Sequence, residues 1–173
     1  MTHDIFEETQ RFNQIWLWVI LVGVSLMLII QVPVNLINSS GTDPLPISSI
    51  LIIIFSLVFV IGINALFIFM RLKTKINDEG VAVIFRPFIN KPQQFPWDDI
   101  DKAFVRKYKP LWEYGGWGIR YRWNSKAYNT SGNVGLQLIM KSGKKILIGT
   151  QKADELDSYL KKHIFTQQKN LNN

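Results

Sequence analysis

Two uncharged runs constrain this chain more than anything else in it. Between Phe12 and Met70 the only formal charge is Asp43. On either side of it lie IWLWVILVGVSLMLIIQVPVNLI (Ile15–Ile37, 23 residues) and ISSILIIIFSLVFVIGINALFIFM (Ile47–Met70, 24 residues). A hydrocarbon layer of about 30 Å takes roughly 20 helical residues to cross, and a helix satisfies its own backbone hydrogen bonds there. Runs this long, apolar on every face, fit membrane spans better than buried helices of a soluble fold. The leading MTHDIFEETQRFNQ is acidic, and no small-residue cleavage pattern closes the first run, which sets aside a removable signal peptide.

Charge gives the pair a direction. The connection NSSGTDPLP carries no Lys or Arg, whereas RLKTKIN, directly after the second run, carries Arg71, Lys73 and Lys75. The positive-inside rule then predicts an external loop at 38–46, with the N-terminal segment 1–14 and everything after residue 70 in the cytoplasm. The expected location is the plasma membrane, crossed twice at 15–37 and 47–70. Arg11 agrees with this orientation, and Trp16 and Trp18 suit the interfacial belt. Gln31, Pro33, Asn35, Ser56 and Asn64 interrupt the apolar character of the spans. Pro33 kinks the first helix or marks its end. Asn64 can bond to the partner helix or across a homodimer. No ionisable residue lies inside either span, which argues against a proton or ion pathway.

The back of the chain is a different material. Residues 71–173 hold 19 of the 20 Lys and Arg but only 9 of the 13 Asp and Glu, a net charge of +10. RLKTKI alternates with period two, NDEG (Asn77–Gly80) is a turn, and VAVIFRPF completes a hairpin. Strands are expected again from about Ile100 to Lys109 and at Trp117–Trp123, Lys126–Thr130, Val134–Met140 and Lys144–Gly149. In TQKADELDSYLKKHIF, Leu156, Leu160 and Ile164 then form a helical stripe. Asp154, Glu155 and Asp157 precede Lys161 and Lys162, as the helix dipole prefers, and Thr150 is the candidate N-cap. About seven strands and one closing helix make a domain at 71–165, followed by a polar tail at 166–173.

EYGGWGIRYRW (Glu113–Trp123) is the most unusual stretch. Read as a strand, it puts Trp117, Ile119, Tyr121 and Trp123 on one face and Gly118, Arg120 and Arg122 on the other. The aromatic face is expected in the core, and the arginine face toward solvent, lipid head groups or a partner. Gly115 and Gly116 supply positive φ or a bulge. The G-G-x-G spacing runs into a strand, so no helix N-terminus is present to hold a phosphate, and a nucleotide cradle is set aside.

Little else suggests chemistry. The chain has no cysteine and two histidines, His3 and His163, near opposite ends. Asp98, Asp99 and Asp101 are the one carboxylate cluster, compatible with acid–base work or a hard cation, but no convergent partner is visible in the sequence. The expectation is therefore no catalytic activity and no cofactor or metal. The basic residues remain. Arg71, Lys73 and Lys75 set topology and can touch an anionic inner leaflet. Arg106, Lys107, Lys109, Arg120 and Arg122 are not needed for topology. They can meet phospholipid head groups, an acidic protein partner or plain solvent. Nucleic acid is not expected, because a stacking platform needs its aromatics on one exposed face with the cations.

The order of strands and closing helix resembles the pleckstrin-homology-like (PH-like) barrel. More narrowly, four segments resemble a family of small bacterial two-span membrane proteins with a cytoplasmic PH-like domain. They are QRF (Gln10–Phe12) before the first span, Pro-Trp-x-x-Ile (Pro96–Ile100), EYGGWGIR (Glu113–Arg120) and LIGTQK (Leu147–Lys152). The resemblance implies an α+β architecture, a two-helix transmembrane hairpin followed by a PH-like β-barrel of about seven strands with a C-terminal capping helix. The likeness carries architecture rather than chemistry. The uncharged spans, the +10 charge and the strand-and-helix pattern are what lead to an expected binding or scaffold role. An accessory subunit of a larger membrane complex is the alternative, and an enzyme using Asp98, Asp99 and Asp101 is a third reading.

Overall fold

A computed structural model describes residues 5–38 and 47–171, with side chains placed at all of these except 32, 33, 35–38 and 163–171. Apart from Asn38, the loop expected at 38–46 lies outside the described residues. The chain divides into two compact units. One is residues 14–69; the other joins residues 1–13 to residues 70–173.

The first unit is two helices, α1 (Ile15–Asn38) and α2 (Ile47–Phe69). Among the described residues, α2 is the one helix long and apolar enough to cross a membrane, and none of its side chains is buried. The apolar stretch of α1 described in full, Ile15–Gln31, is shorter. Pro33 does not end α1, which continues to Asn38. Asn64 Nδ2 donates to Ser25 Oγ of α1 at 3.1 Å and to the Val60 carbonyl of its own helix at 2.8 Å. Its amide protons are thus used within the pair of helices.

The second unit is built on two sheets. The first has the order β1 (Phe6–Arg11), β2 (Arg71–Asn77), β3 (Gly80–Arg86) and β4 (Ile89–Pro96), each antiparallel to its neighbour. The β2–β3 turn forms because Asn77 Oδ1 accepts from the Glu79 and Gly80 amides, both at 3.2 Å. Along β1 and β2 burial alternates strictly. Phe6, Leu72, Ile76, Val81, Val83 and Phe85 enter the core, while Glu7, Thr9, Arg11, Arg71 and Lys73 face out.

The second sheet runs β5 (Ile100–Lys107), β8 (Val134–Met140), β9 (Lys145–Gly149), β7 (Ser125–Asn129) and β6 (Gly118–Arg122). The β7–β9 pair is parallel and the rest are antiparallel. A 3-10 turn at Trp97–Asp99 leads into β5, and the five-residue helix α3 (Pro110–Tyr114) separates β5 from β6. Finally α4 (Ala153–Leu171) buries Leu156 and Leu160 and sets the Tyr159 ring against Phe6, centroids 6.1 Å apart. The side chain of Ile164, third residue of the expected stripe, lies outside the described side chains.

Three expectations change. The barrel of about seven strands gives way, among the described residues, to nine strands in two sheets with no closed barrel. The extra strands are β1, drawn from ahead of the helices, and β4, whose Pro92 is tolerated because β4 is an edge strand. Thr150 does not cap α4, which starts three residues later. It accepts from the Lys152 amide at 3.0 Å and donates to Glu8 at 2.6 Å. The segment read as a polar tail from 166 continues α4 to Leu171.

Candidate functional site

The deepest polar feature joins the two sheets. Gln10 on β1, 1% exposed, donates to the Gly149 carbonyl at 2.6 Å and accepts from Thr130 Oγ at 3.1 Å. Buried Glu8 accepts from the Thr150 hydroxyl at 2.6 Å and the Gln151 amide at 2.7 Å. Gly149 is glycine because a Cβ there would stand 2.9 Å from Asn129 Cβ. QRF and LIGTQK, far apart in the chain, therefore meet in a single hydrogen-bonded seam. A buried carboxylate satisfied in this way holds a strand in place, and it also specifies the register of β1.

The glycine-rich stretch resolves into a turn built around Glu113. Its carboxylate accepts from Arg106 Nη2 at 2.7 Å and from the Lys109 amide at 2.8 Å, while its carbonyl accepts from Arg122 at 2.9 Å. The Arg106 hydrogen bond, aided by the Lys109 amide, holds the Glu113 carboxyl below its ordinary range despite the opposing effect of burial. Gly115 stops α3 in the left-handed conformation (φ 71°), and its amide closes back onto Leu111. Asn129 accepts from the Gly118 amide at 2.9 Å and donates to the Tyr108 hydroxyl at 3.0 Å. Burial pushes that phenol up to about 12, so Tyr108 stays neutral. Tyr108, Ala127 and Leu147 pack together under Tyr114.

The strand expected at Trp117–Trp123 is therefore shorter, and its aromatic face is not in the core. Tyr121 is 73% exposed and Trp123 95%, joined by Trp112 on α3 at 85%. The cause is position: β6 is the edge strand of its sheet, and burial falls along this stretch from half-buried Trp117 and Ile119 to exposed Tyr121 and Trp123. Tyr121 is instead held by Lys126, whose Nζ lies 4.7 Å from the Tyr121 and Tyr128 ring centroids.

Seven of the eight basic residues singled out from the sequence fall on two different sheets, and Lys109 is the N-cap residue of α3. Arg71, Lys73 and Lys75 line the outer face of β2, where Lys73 and Lys75 reach Glu7 at 3.4 and 3.5 Å. Arg106 and Arg122 are engaged with Glu113, Lys109 contributes its amide there, and Arg120 Nε donates to the Trp117 carbonyl at 2.9 Å. Lys107 is exposed. The sequence reading used Arg11 only for orientation and passed over Arg86; the register places both beside Arg71, in the order Arg11, Arg71, Arg86. The available signal was the alternation FEETQRF, obscured because its inward positions include Glu8 and Gln10.

Asp98, Asp99 and Asp101 are exposed, and the Asp99 carbonyl accepts from the Lys141 amide at 2.8 Å. Among the described residues no group of three or more His, Cys, Asp or Glu converges as a metal site requires. A cavity of about 390 Å³ beside the β2–β3 turn is lined by Lys75, Asn77, Val81, Pro92, Gln94 and Phe95 among others. Compared with known proteins, the chain matches no family model, no curated protein and no solved structure.

Proposed function

We propose that this chain is an integral membrane protein in which α1 and α2 cross the plasma membrane as a hairpin and carry a cytoplasmic, non-catalytic PH-like binding domain. The observation that carries the reading is the pairing of β1 with β2. The chain leaves the sheet after Arg11 and returns to it at Arg71, its own Cα partner. Whatever lies between must begin and end on the same side of a bilayer. With α2 apolar enough to cross, α1 supplies the return passage. The Lys and Arg excess after residue 70 favours the cytoplasm for that side. Two sheets and a C-terminal helix support the PH-like likeness in outline, although the parallel β7–β9 pair departs from a simple meander.

The domain's role in this reading is to bind anionic head groups. Its net charge of +10 after residue 70 favours this binding role. A second reading, an accessory subunit docking another protein, is favoured by the exposed Trp112, Tyr121 and Trp123, since Trp and Tyr dominate protein–protein hot spots. The membrane reading is tested by alkaline carbonate extraction of the full chain from native membranes. Retention in the pellet is expected, and release into the supernatant would overturn it. Flotation of the detergent-free full chain with neutral and anionic vesicles then separates lipid binding from protein docking.

A further inference from the structure

The register of the first sheet aligns three arginines. Arg11 is the Cα partner of Arg71, and Arg71 is the Cα partner of Arg86, so the three sit in one row across β1, β2 and β3. Residues directly opposite in adjacent strands share a face, with Cβ atoms about 5 Å apart. Like charges in such a row are destabilising. All three are exposed, and none makes an ion pair among the described residues. Farther along the same face Glu7 serves both Lys73 and Lys75. The face is thus partly neutralised at one end and left strongly cationic at the other.

The cationic end is where the chain goes to and comes from the apolar helices. Arg11 lies four residues before α1, and Arg71 two residues after α2. Arg86 opens the β3–β4 connection, where Phe88 is 59% exposed while its ring leans on buried Phe85 at 6.5 Å. A large apolar side chain left exposed two residues along the chain from Arg86 suits the boundary between head groups and acyl chains. Guanidinium forks match phosphate oxygens two at a time.

We infer that Arg11, Arg71 and Arg86 form a phosphate-binding row for anionic phospholipids of the leaflet the helices enter, with Phe88 inserting alongside. This rests on the membrane reading above and identifies the lipid-contacting surface within it. The row also explains why an otherwise costly alignment of charge is kept. Lipid phosphates supply the counter-charge that Glu7 supplies farther along.

The native chain has no cysteine, so an Asn90→Cys variant gives a single attachment point for an environment-sensitive fluorophore on exposed β4, one strand from the row. The full chain is reconstituted into phosphatidylcholine vesicles with and without about one-third phosphatidylglycerol. A blue shift and quenching by spin-labelled lipid are expected only with phosphatidylglycerol. Arg86→Gln and Phe88→Ser should each remove at least half of the quenching, and 0.5 M salt should weaken it. Arg86→Gln relieves like-charge repulsion, so its Tm in detergent should be unchanged or higher, which separates lost contact from lost fold. Equal signals in the two vesicles, or full quenching in Arg86→Gln, overturn the inference. So does abolition of the signal by millimolar inorganic phosphate, which would assign the row to free phosphate. Failure of the membrane reading shows separately, as release of the unmodified chain by alkaline carbonate.

Discussion

At Glu113 a single carboxylate closes α3, and its loss should be readable in acid. The Arg106 hydrogen bond depresses its pKa, so the group contributes stability above the ordinary carboxylate value of 4.5 and loses it as the pH falls through the folded value. The pair is about one-third exposed, and solvent screening limits its worth to roughly 1 kcal/mol. Glu113→Gln should therefore lower the Tm of the detergent-solubilised protein by a few degrees at pH 7. The gap should narrow as the pH is lowered from 7 into the carboxylate range and through the folded value, and a gap that stays constant for as long as both proteins remain folded would refute the assignment. Gln10 makes a sharper case because it is buried. Gln10→Leu strips the Gly149 carbonyl of its donor at near-constant side-chain size, and should cost about 2 kcal/mol by chemical denaturation. A neutral outcome would mean that the seam contributes nothing to stability. Gly149→Ala should be comparably harmful, since the added methyl overlaps Asn129.

Among the elements, β1 carries the most weight for its length. Phe6, Glu8 and Gln10 all point inward from six residues. A fragment of residues 71–173 should consequently fold poorly on its own, with fast amide exchange along β2. The same fragment preceded by residues 5–13 through a short glycine linker in place of the helices should recover protection. Equal protection of β2 in both would show β1 to be dispensable. Most elements of the back half were legible because their side chains obey period two or 3.6: β2, β3, β5, β7, β8, β9 and α4 all lie within a few residues of their expected positions. β1 was hidden because its inward face mixes Phe6 and Phe12 with Glu8 and Gln10, whose burial depends on partners about 140 residues away. β4 was hidden by Pro92 and its solvated edge, and α3 by its brevity. The aromatic face of β6 was misread because alternation shows which residues share a face, but not whether the sheet extends far enough to cover them. The same limit applied to the basic residues. Composition located the charge after residue 70, yet only strand register could set Arg11 and Arg86 beside Arg71.

For the molecule as a whole, one topological fact organises the account: a strand from before the helices pairs with a strand from after them. Single cysteines introduced into this cysteine-free chain test the consequence directly. Thr9→Cys lies on the outer face of β1, Lys144→Cys in the exposed β8–β9 turn, and Gly41→Cys in the segment between the helices. An impermeant maleimide added to intact spheroplasts should label Gly41→Cys alone. Thr9→Cys and Lys144→Cys should react only after permeabilisation, and both together. Labelling of Thr9→Cys and Lys144→Cys from opposite sides would break the β1–β2 pairing. Labelling of all three from one side would show that the helices do not span the membrane.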